Sequence, residues 1–383
     1  MKQGWEIKKL GDVCKVIAGQ SPEGKYYNSE AKGLPFYQGK KEYGEKYIGE
    51  PTTWTTKITK EAEANDILMS VRAPVGPINI STQKICIGRG LAAIRASKLI
   101  DKEFLFNFLI KHENEIIGNA GAVFNSINKA QIEAIKIPYP PLPEQQRIVS
   151  ILDEIFEAIA TAKANAEQNL KNAKELFESY LQGVFENGNW KEKKLNEITE
   201  VKDGTHDSPK YFKEGIPFVT QKNIRQDGLS FDNTRFITET DHEKFYKRSN
   251  ANHGDILIAM IGANRGMAAI VDDKRVFSIK NVGLIKESKN INKYFLLYYL
   301  KSSLALKYVL YMSNGGAQEF VGLTALRSFP IPFPTMSEQQ TIVQKLDALS
   351  SETKKLEAIY QKKLVDLEEL KKSVLQKAFN GEL

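Results

Sequence analysis

Pro143-Glu-Gln-Gln-Arg-Ile-Val149 returns as Ser337-Glu-Gln-Gln-Thr-Ile-Val343, 194 residues later. The same offset joins Leu152-Asp153 to Leu346-Asp347, Leu181-Gln182 to Leu375-Gln376 and Phe185 to Phe379, so no residue is gained or lost across either segment. Pro143 directly precedes the first Glu-Gln-Gln and Pro334 stands four residues before the second, where the approach to a helix tolerates them, and none interrupts residues 144 to 185. Each segment therefore predicts one long helix; about 42 residues at about 1.5 Å each would span roughly 60 Å. A heptad stripe runs through Ile148, Leu152, Ile155, Ile159, Ala162, Ala166, Ala173, Leu176 and Tyr180, and a second through Ile342, Leu346, Leu349, Leu356, Tyr360, Leu367, Leu370 and Val374. Alanines in the middle of one stripe and Leu356 and Tyr360 in the middle of the other predict antiparallel packing of small against large.

The repeat extends upstream of both helices. Trp5-Glu-Ile-Lys-Lys-Leu10 returns as Trp190-Lys-Glu-Lys-Lys-Leu195, and Gly33-Leu-Pro-Phe36 with Gln38 returns as Gly215-Ile-Pro-Phe218 with Gln221. Asn65-Asp66-Ile-Leu-Met69 matches Gly254-Asp255-Ile-Leu-Ile258, each an acidic turn feeding an apolar strand. Phe104 to Ile110 matches Tyr294 to Leu300 as an aromatic-rich helix, Gly121-Ala122 matches Gly316-Ala317, and Ile135-Lys-Ile-Pro138 matches Phe329-Pro-Ile-Pro332. The expected fold is mixed α/β (α+β): two similar globular domains, residues 1–143 and 187–337, separated by two long helices, residues 144–186 and 338–383, packed as an antiparallel coiled coil with an internal pseudo-two-fold repeat.

With 383 residues, 42% hydrophobic and 26% charged, the chain can bury more than one core. No run of 18 apolar residues appears, and Met1-Lys2-Gln3-Gly4-Trp5 does not open a signal peptide, so a cytoplasmic protein without membrane contact is expected. Cys14 and Cys86 have no Cys-x-x-Cys or histidine spacing and are expected in the core. The net charge of +7 is unevenly spread: +5 over residues 1–143, −4 over 144–186, +6 over 187–337 and 0 over 338–383. The positive excess lies in the globular parts, as nucleic-acid contact requires.

Over essentially its whole length the chain resembles the specificity subunit of type I restriction-modification systems. The resemblance is carried by Gly19-Gln-Ser-Pro22, Asp66-Ile-Leu-Met-Ser-Val-Arg-Ala-Pro-Val-Gly76 and Gly88-Arg-Gly90, by Asp203-Gly-Thr-His-Asp-Ser-Pro209 and Gly215-Ile-Pro-Phe218, and by the Glu-Gln-Gln helices with the ending Ala378-Phe-Asn-Gly-Glu-Leu383. It implies two target-recognition domains joined by two spacer helices. It further implies a non-catalytic scaffold that reads a split double-stranded DNA target and binds two methyltransferase subunits and restriction (translocase/nuclease) subunits. S-adenosylmethionine and ATP would then belong to those partners, with no cofactor in this chain. The two halves differ at their reading loops, which implies two different half-sites.

Reading bases takes hydrogen-bonding side chains on loops, backed by cations for phosphate. After the Pro-Phe strand stand Gln38, Lys40 and Lys41 in the first half, and Gln221, Lys222, Asn223 and Arg225 in the second. Either cluster alone equally suits a solvated turn; their matched location is what singles them out. Arg72 and Arg265 follow the acidic strands and suit phosphate or a surface ion pair. The resemblance places Gln20, Ser21, Thr205, His206 and Ser208 near DNA. Asn119-Ala-Gly121 and Asn314-Gly-Gly316 suit either plain turns or amides offered to phosphate. His206 has no metal-ligand spacing with His112, His242 or His253.

Three catalytic look-alikes fail on their surroundings. Gly19 to Lys25 has phosphate-loop spacing, but Tyr26 stands where a magnesium-binding hydroxyl belongs. Asp255 with Asp272 and Lys274 resembles a nuclease set, yet Asp255 matches Asp66, whose half has no such pair, so a turn role is expected for both aspartates. Tyr139-Pro-Pro141 resembles a methyltransferase signature, but lacks a glycine-rich cofactor loop upstream and reads as the joint to the helix. A different class remains open: a two-domain protein-binding scaffold with a helical dimerisation arm.

Overall fold

The computed structural model describes residues 4–118, 126–312 and 320–383. The chain forms two compact units, Met1–Glu167 with Gln361–Leu383, and Gln168–Tyr360. The first long helix, Leu142–Glu186, begins in the first unit and ends in the second, and the second, Met336–Asn380, does the reverse. The glycine steps at Gly121-Ala122 and Gly316-Ala317, with Asn119 and Asn314, lie outside the described residues.

In the first unit a four-stranded antiparallel sheet runs in the order Cys14–Ala18, Leu91–Ala96, Ile67–Ser70, Ile78–Ile80. Its central strands carry unbroken apolar runs, Ile67–Met69 and Leu91–Ile94, because both faces are covered there. Ile67, Met69, Ala92 and Ile94 point to a core that includes Phe104, Leu105 and Phe108 of helix Lys102–Gly118, while Leu68, Leu91 and Ala93 point to a second core with Ile85 and Ile87. That second core belongs to a sheet in which Leu34–Tyr37 and Ile85–Ile87 run parallel, Phe36 opposite Cys86. Strand Glu6–Lys9 pairs with Lys136–Tyr139 and closes the domain just before the long helix.

The second unit repeats this plan. Its four-stranded sheet runs Val201–Asp203, Val282–Ile285, Ile256–Ala259, Ala268–Ile270, and Ile256 and Ile258 face one core while Leu257 and Ala259 face another. Ile216–Thr220 and Ser278–Lys280 form the matching parallel pair, Phe218 opposite Ser278, and Glu192–Lys194 pairs with Pro330–Pro332. Two departures stand out. Helix Glu239–Ser249, opened by the Thr238 hydroxyl accepting from Asp241 N at 3.1 Å, is an addition of the second unit. The counterpart of Lys102–Gly118 is broken at Ser302 into Lys293–Lys301 and Ser303–Met312.

Asp66 and Asp255 hold turns, as expected: each Oδ2 accepts a backbone N–H at 2.8 Å, from Glu63 and Asn252 respectively. Each is also ion-paired, Asp66 with Arg95 at 2.7 Å and Asp255 with Lys286 at 2.5 Å, and Arg95 and Lys286 each stand one residue past the last pair with the strand that follows the aspartate. The nuclease resemblance therefore dissolves into a structural ion pair. Cys14 and Cys86 are buried free thiols.

The helices pair antiparallel inside each unit. In the first, Lys163 Nζ meets Glu368 Oε1 at 2.7 Å and Arg147 Nη2 reaches the Leu383 carbonyl at 2.7 Å. Phe379 packs its ring on Phe104 and Phe108 at centroid distances of 5.0 and 5.5 Å; in the second unit its repeat partner Phe185 packs on Phe295 and Tyr299 at 5.5 and 5.2 Å. The predicted stripes need correction. Ala166 and Ala173 are buried, but Leu176, Tyr180, Leu356 and Leu370 are exposed, and Thr353 takes an inward place. A helix of 3.6 residues per turn drifts away from a strict seven-residue stripe, and these side chains have turned outward. Among the described residues, no helix is long and apolar enough to cross a membrane.

Candidate nucleic-acid interface

In the first unit, four chain segments leave the sheets at one end. Ala18 pairs with Ala92 and Ser70 with Leu91, while Tyr37 and Ile87 lie side by side in the parallel pair, so Gly19–Ser21, Val71–Arg72, Gln38–Lys41 and Gly88–Gly90 emerge together. Backbone bonds stitch them: Gly19 N to Leu91 O at 2.9 Å, Gln20 N to Ile87 O at 3.0 Å, Gly88 N to Tyr37 O at 2.8 Å and Val71 N to Gly90 O at 2.9 Å. Glycine is what allows this approach. A Cβ on Gly19 would sit 2.1 Å from the Gly88 carbonyl oxygen, and one on Gly90 would sit 2.2 Å from that of Gln38. The structure thus brings Gln20, Ser21, Gln38, Lys40, Lys41 and Arg72 to one surface; all are exposed except Ser21, whose Oγ accepts from Arg89 N at 3.2 Å.

The second unit builds the same junction with other side chains. Gly204 N donates to Val282 O at 2.9 Å and Thr205 N to Ile279 O at 3.1 Å, which places Gly204, Thr205 and His206 where Gly19, Gln20 and Ser21 stand. The turn opposite is shorter by one residue: Lys280-Asn281 replaces Gly88-Arg89-Gly90, with Asn281 at φ 53°. His206 Nδ1 lies 2.7 Å from Asn281 Oδ1 and Nε2 lies 3.3 Å from the buried Asp203, which Arg248 grips at 2.7 Å. Ser208 accepts from Lys280 Nζ at 2.5 Å. Beside them Lys244 pairs with Asp207 at 2.9 Å, and the hydrogen bond from that ammonium holds the Asp207 carboxyl below its ordinary range.

Several candidates have structural employment. Thr205 is buried, its hydroxyl accepting from Asp207 N at 3.1 Å. Asn223 is buried and fully used: Oδ1 accepts from Thr220 N at 2.9 Å, and Nδ2 donates to Ser230 O at 3.0 Å and Thr234 Oγ1 at 3.2 Å. Both side chains shape loops. Lys222 and Arg225 are exposed, Arg225 facing Asp232 at 3.4 Å. Gln221 is half-buried, with Oε1 lacking a hydrogen-bond partner among the described residues and the amide packed beside Gly262 in the turn that carries Arg265.

The structure also re-pairs the two halves. Register through the parallel strands makes Thr220, not Gln221, the counterpart of Gln38. Arg72 bridges Ser126 as Ile261 bridges Phe320, so Arg265 is not the counterpart of Arg72 but lies four residues farther along. Exposed Arg89 and half-buried Lys280 of the opposing turn were not among the predicted residues; for Arg89 the Gly-Arg-Gly sequence was the available signal. Among the described residues, no group of three or more His, Cys, Asp or Glu could hold a metal ion.

The family described as type I restriction modification DNA specificity domain matches residues 2–172 and again residues 187–364. A putative type I restriction enzyme MjaX specificity subunit of Methanocaldococcus jannaschii is 44% identical over 186 residues, which are 47% of this chain and 43% of that relative. The type I restriction enzyme MjaVIII specificity subunit of the same organism is 26% identical across 100% of this chain and 93% of its own length. In fold, the chain is similar to a structure titled for complex assembly and conformational transition of the type I R-M system (TM-score 0.77, 20% identity, 100% and 99% of the two chains). It is also similar to the HsdS subunit from Thermoanaerobacter tengcongensis (TM-score 0.67, 20% identity, 100% and 98%).

Proposed function

Because the chain belongs to the type I restriction-modification DNA specificity family, matched twice along its length, we propose that its two units read two different halves of one double-stranded DNA target. The observation that carries this is the shared junction: the same strand ends deliver the loops in both units, with Gln20, Gln38 and Arg89 in one and His206 and Lys280 in the other. A shared scaffold carrying unequal loops and side chains is what reading two unlike sequences requires. Lys40, Lys41 and Arg72, with Lys222 and Arg225, supply charge for phosphate.

The two long helices, each running from one unit into the other, fix the gap between the half-sites and offer faces to two methyltransferase subunits and to restriction subunits. Methylation and cleavage, with S-adenosylmethionine and ATP, fall to those partners.

The test is methylation mapping in cells expressing the chain with its methyltransferase partner. A bipartite, asymmetric motif that vanishes without the chain is expected; a palindromic motif, or none, overturns the reading. Binding of the assembled complex to that DNA should weaken steeply with salt, log K falling by about 0.9 per log unit of salt for each phosphate neutralised. A protein-binding scaffold would show no such DNA dependence.

A further inference from the structure

The chain has ten arginines. Arg95, Arg147, Arg225, Arg248 and Arg275 are ion-paired, Arg327 donates to the Val201 carbonyl, Arg235 lies over the Tyr211 ring and Arg265 is engaged. Only Arg72 and Arg89 expose guanidinium groups with no hydrogen bond, ion pair or ring contact among the described residues. They are neighbours, since Val71 N donates to Gly90 O at 2.9 Å. Two adjacent cations that the fold leaves uncompensated suit a polyanion.

The turn beneath Arg89 is held on every side. Gly88 N bonds Tyr37 O at 2.8 Å, Arg89 N bonds Ser21 Oγ at 3.2 Å and Leu91 N bonds Gly88 O at 3.0 Å. A Cβ on Gly88 would stand 3.0 Å from both Gln38 Cα and Ser21 Oγ. Arg89 therefore projects from a fixed backbone held beside Ser21 and Gln38. A forked donor on a rigid support is what bidentate recognition of a base edge needs. The second unit lacks both groups, with Ile261 in place of Arg72 and the shorter Lys280-Asn281 turn in place of Gly88-Arg89-Gly90.

We propose that Arg89 is a specificity-determining residue of the first unit, its guanidinium reading guanine through O6 and N7 in the major groove while Arg72 holds a neighbouring phosphate. This rests on the DNA-reading function above and names one of its readers.

The experiment compares methylated motifs in cells expressing the methyltransferase partner with the wild-type chain, Arg89→Gln, Arg89→Lys or Arg72→Gln. Arg89→Gln is expected to relax a single G·C position in one half-site, cutting discrimination there by about 5- to 150-fold, with the other half-site and the gap unchanged. Arg89→Lys, which keeps the charge but not the fork, should relax the same position, and supplies the answer if Arg89→Gln does not accumulate. Arg72→Gln should lower methylation at all sites alike. Uniform weakening by both Arg89 variants, or an unchanged motif, overturns the proposal while leaving the DNA-reading function standing. A wild-type chain that directs no motif overturns that function instead.

Discussion

Gln145 Oε1 accepts the backbone N–H of Asp101 at 2.7 Å, and its Nε2 donates to the Pro140 carbonyl at 2.9 Å. Gln339 repeats both bonds, accepting from Asn292 N at 2.8 Å and donating to the Pro334 carbonyl at 2.9 Å. Asp101 and Asn292 in turn accept from the first backbone N–H groups of the helix that follows each, Asp101 from Phe104 N at 3.0 Å and Asn292 from Tyr294 N at 2.9 Å. One buried amide thus ties the joint, the long helix and a core helix of the domain, and this is what the first glutamine of each Glu-Gln-Gln does.

Replacing Gln145 or Gln339 by leucine fills the space but leaves a buried N–H and a carbonyl unpaired. At about 1–3 kcal/mol for each of the two orphaned groups, each variant should lose about 2–6 kcal/mol, read as a lower urea midpoint for its unit. The neighbouring Gln146 and Gln340 are exposed, and leucine there should change stability by less than about 0.5 kcal/mol. Equal losses at both positions of the pair would contradict the clamp.

The long helices, the repeat and the apolar central strands were legible because each leaves a trace along the chain: an unbroken offset, or a run of apolar residues. The turn roles of Asp66 and Asp255 were legible for the same reason, an acidic residue fixed just before each run. The reading loops were not, because their polar side chains follow no period that would fix which residue of one half stands opposite which of the other. Alignment by residue type therefore paired Gln38 with Gln221 and Arg72 with Arg265, where strand register pairs them with Thr220 and Ile261. Residue polarity also does not report burial: Thr205 and Asn223 look like readers, yet their side chains are spent on their own turns.

Gly19 and Gly204 support the junction in both units, and alanine should fail at both. Its Cβ would meet backbone, the Gly88 carbonyl oxygen at 2.1 Å and the Ile279 carbonyl oxygen at 2.4 Å. Backbone cannot swing aside, so the strand ends must separate and lose the bonds to Leu91 O and Val282 O. A loss of about 1–3 kcal/mol in thermal or urea unfolding is expected from such overpacking, with loss of DNA binding. Gly24 has nothing within 4 Å of its Cβ position, and Gly24→Ala should be close to neutral. A neutral Gly19→Ala would mean the loops do not meet as described.

Cys14 sits in the core of the first unit, and burial pushes its thiol up to about 12. Cys86 is wholly buried. Since the thiolate is the reacting species, the native chain at pH 8 should react with neither equivalent of a thiol reagent, and the chain in denaturant should react with two. Fast labelling of one thiol in the native protein would show that the sheet edge holding Cys14 opens readily.

Lengthening both long helices together tests whether they set the gap between half-sites. Seven residues are about two turns and add about 10 Å at about 1.5 Å per residue, so the side chains beyond the insertion keep nearly their original facing. Placed in the middle of each helix, away from the clamps at Gln145 and Gln339 and from Phe185 and Phe379, the insertions leave both domain cores intact. With DNA rising about 3.4 Å per base pair, the methylated motif should widen by up to about three unread base pairs while both half-sites stay the same. Inserting into one helix alone should instead mismatch the antiparallel pair, break contacts such as Lys163 with Glu368, and lower stability without producing a new motif. An unchanged gap in a stable double insertion would show that the spacing is set elsewhere.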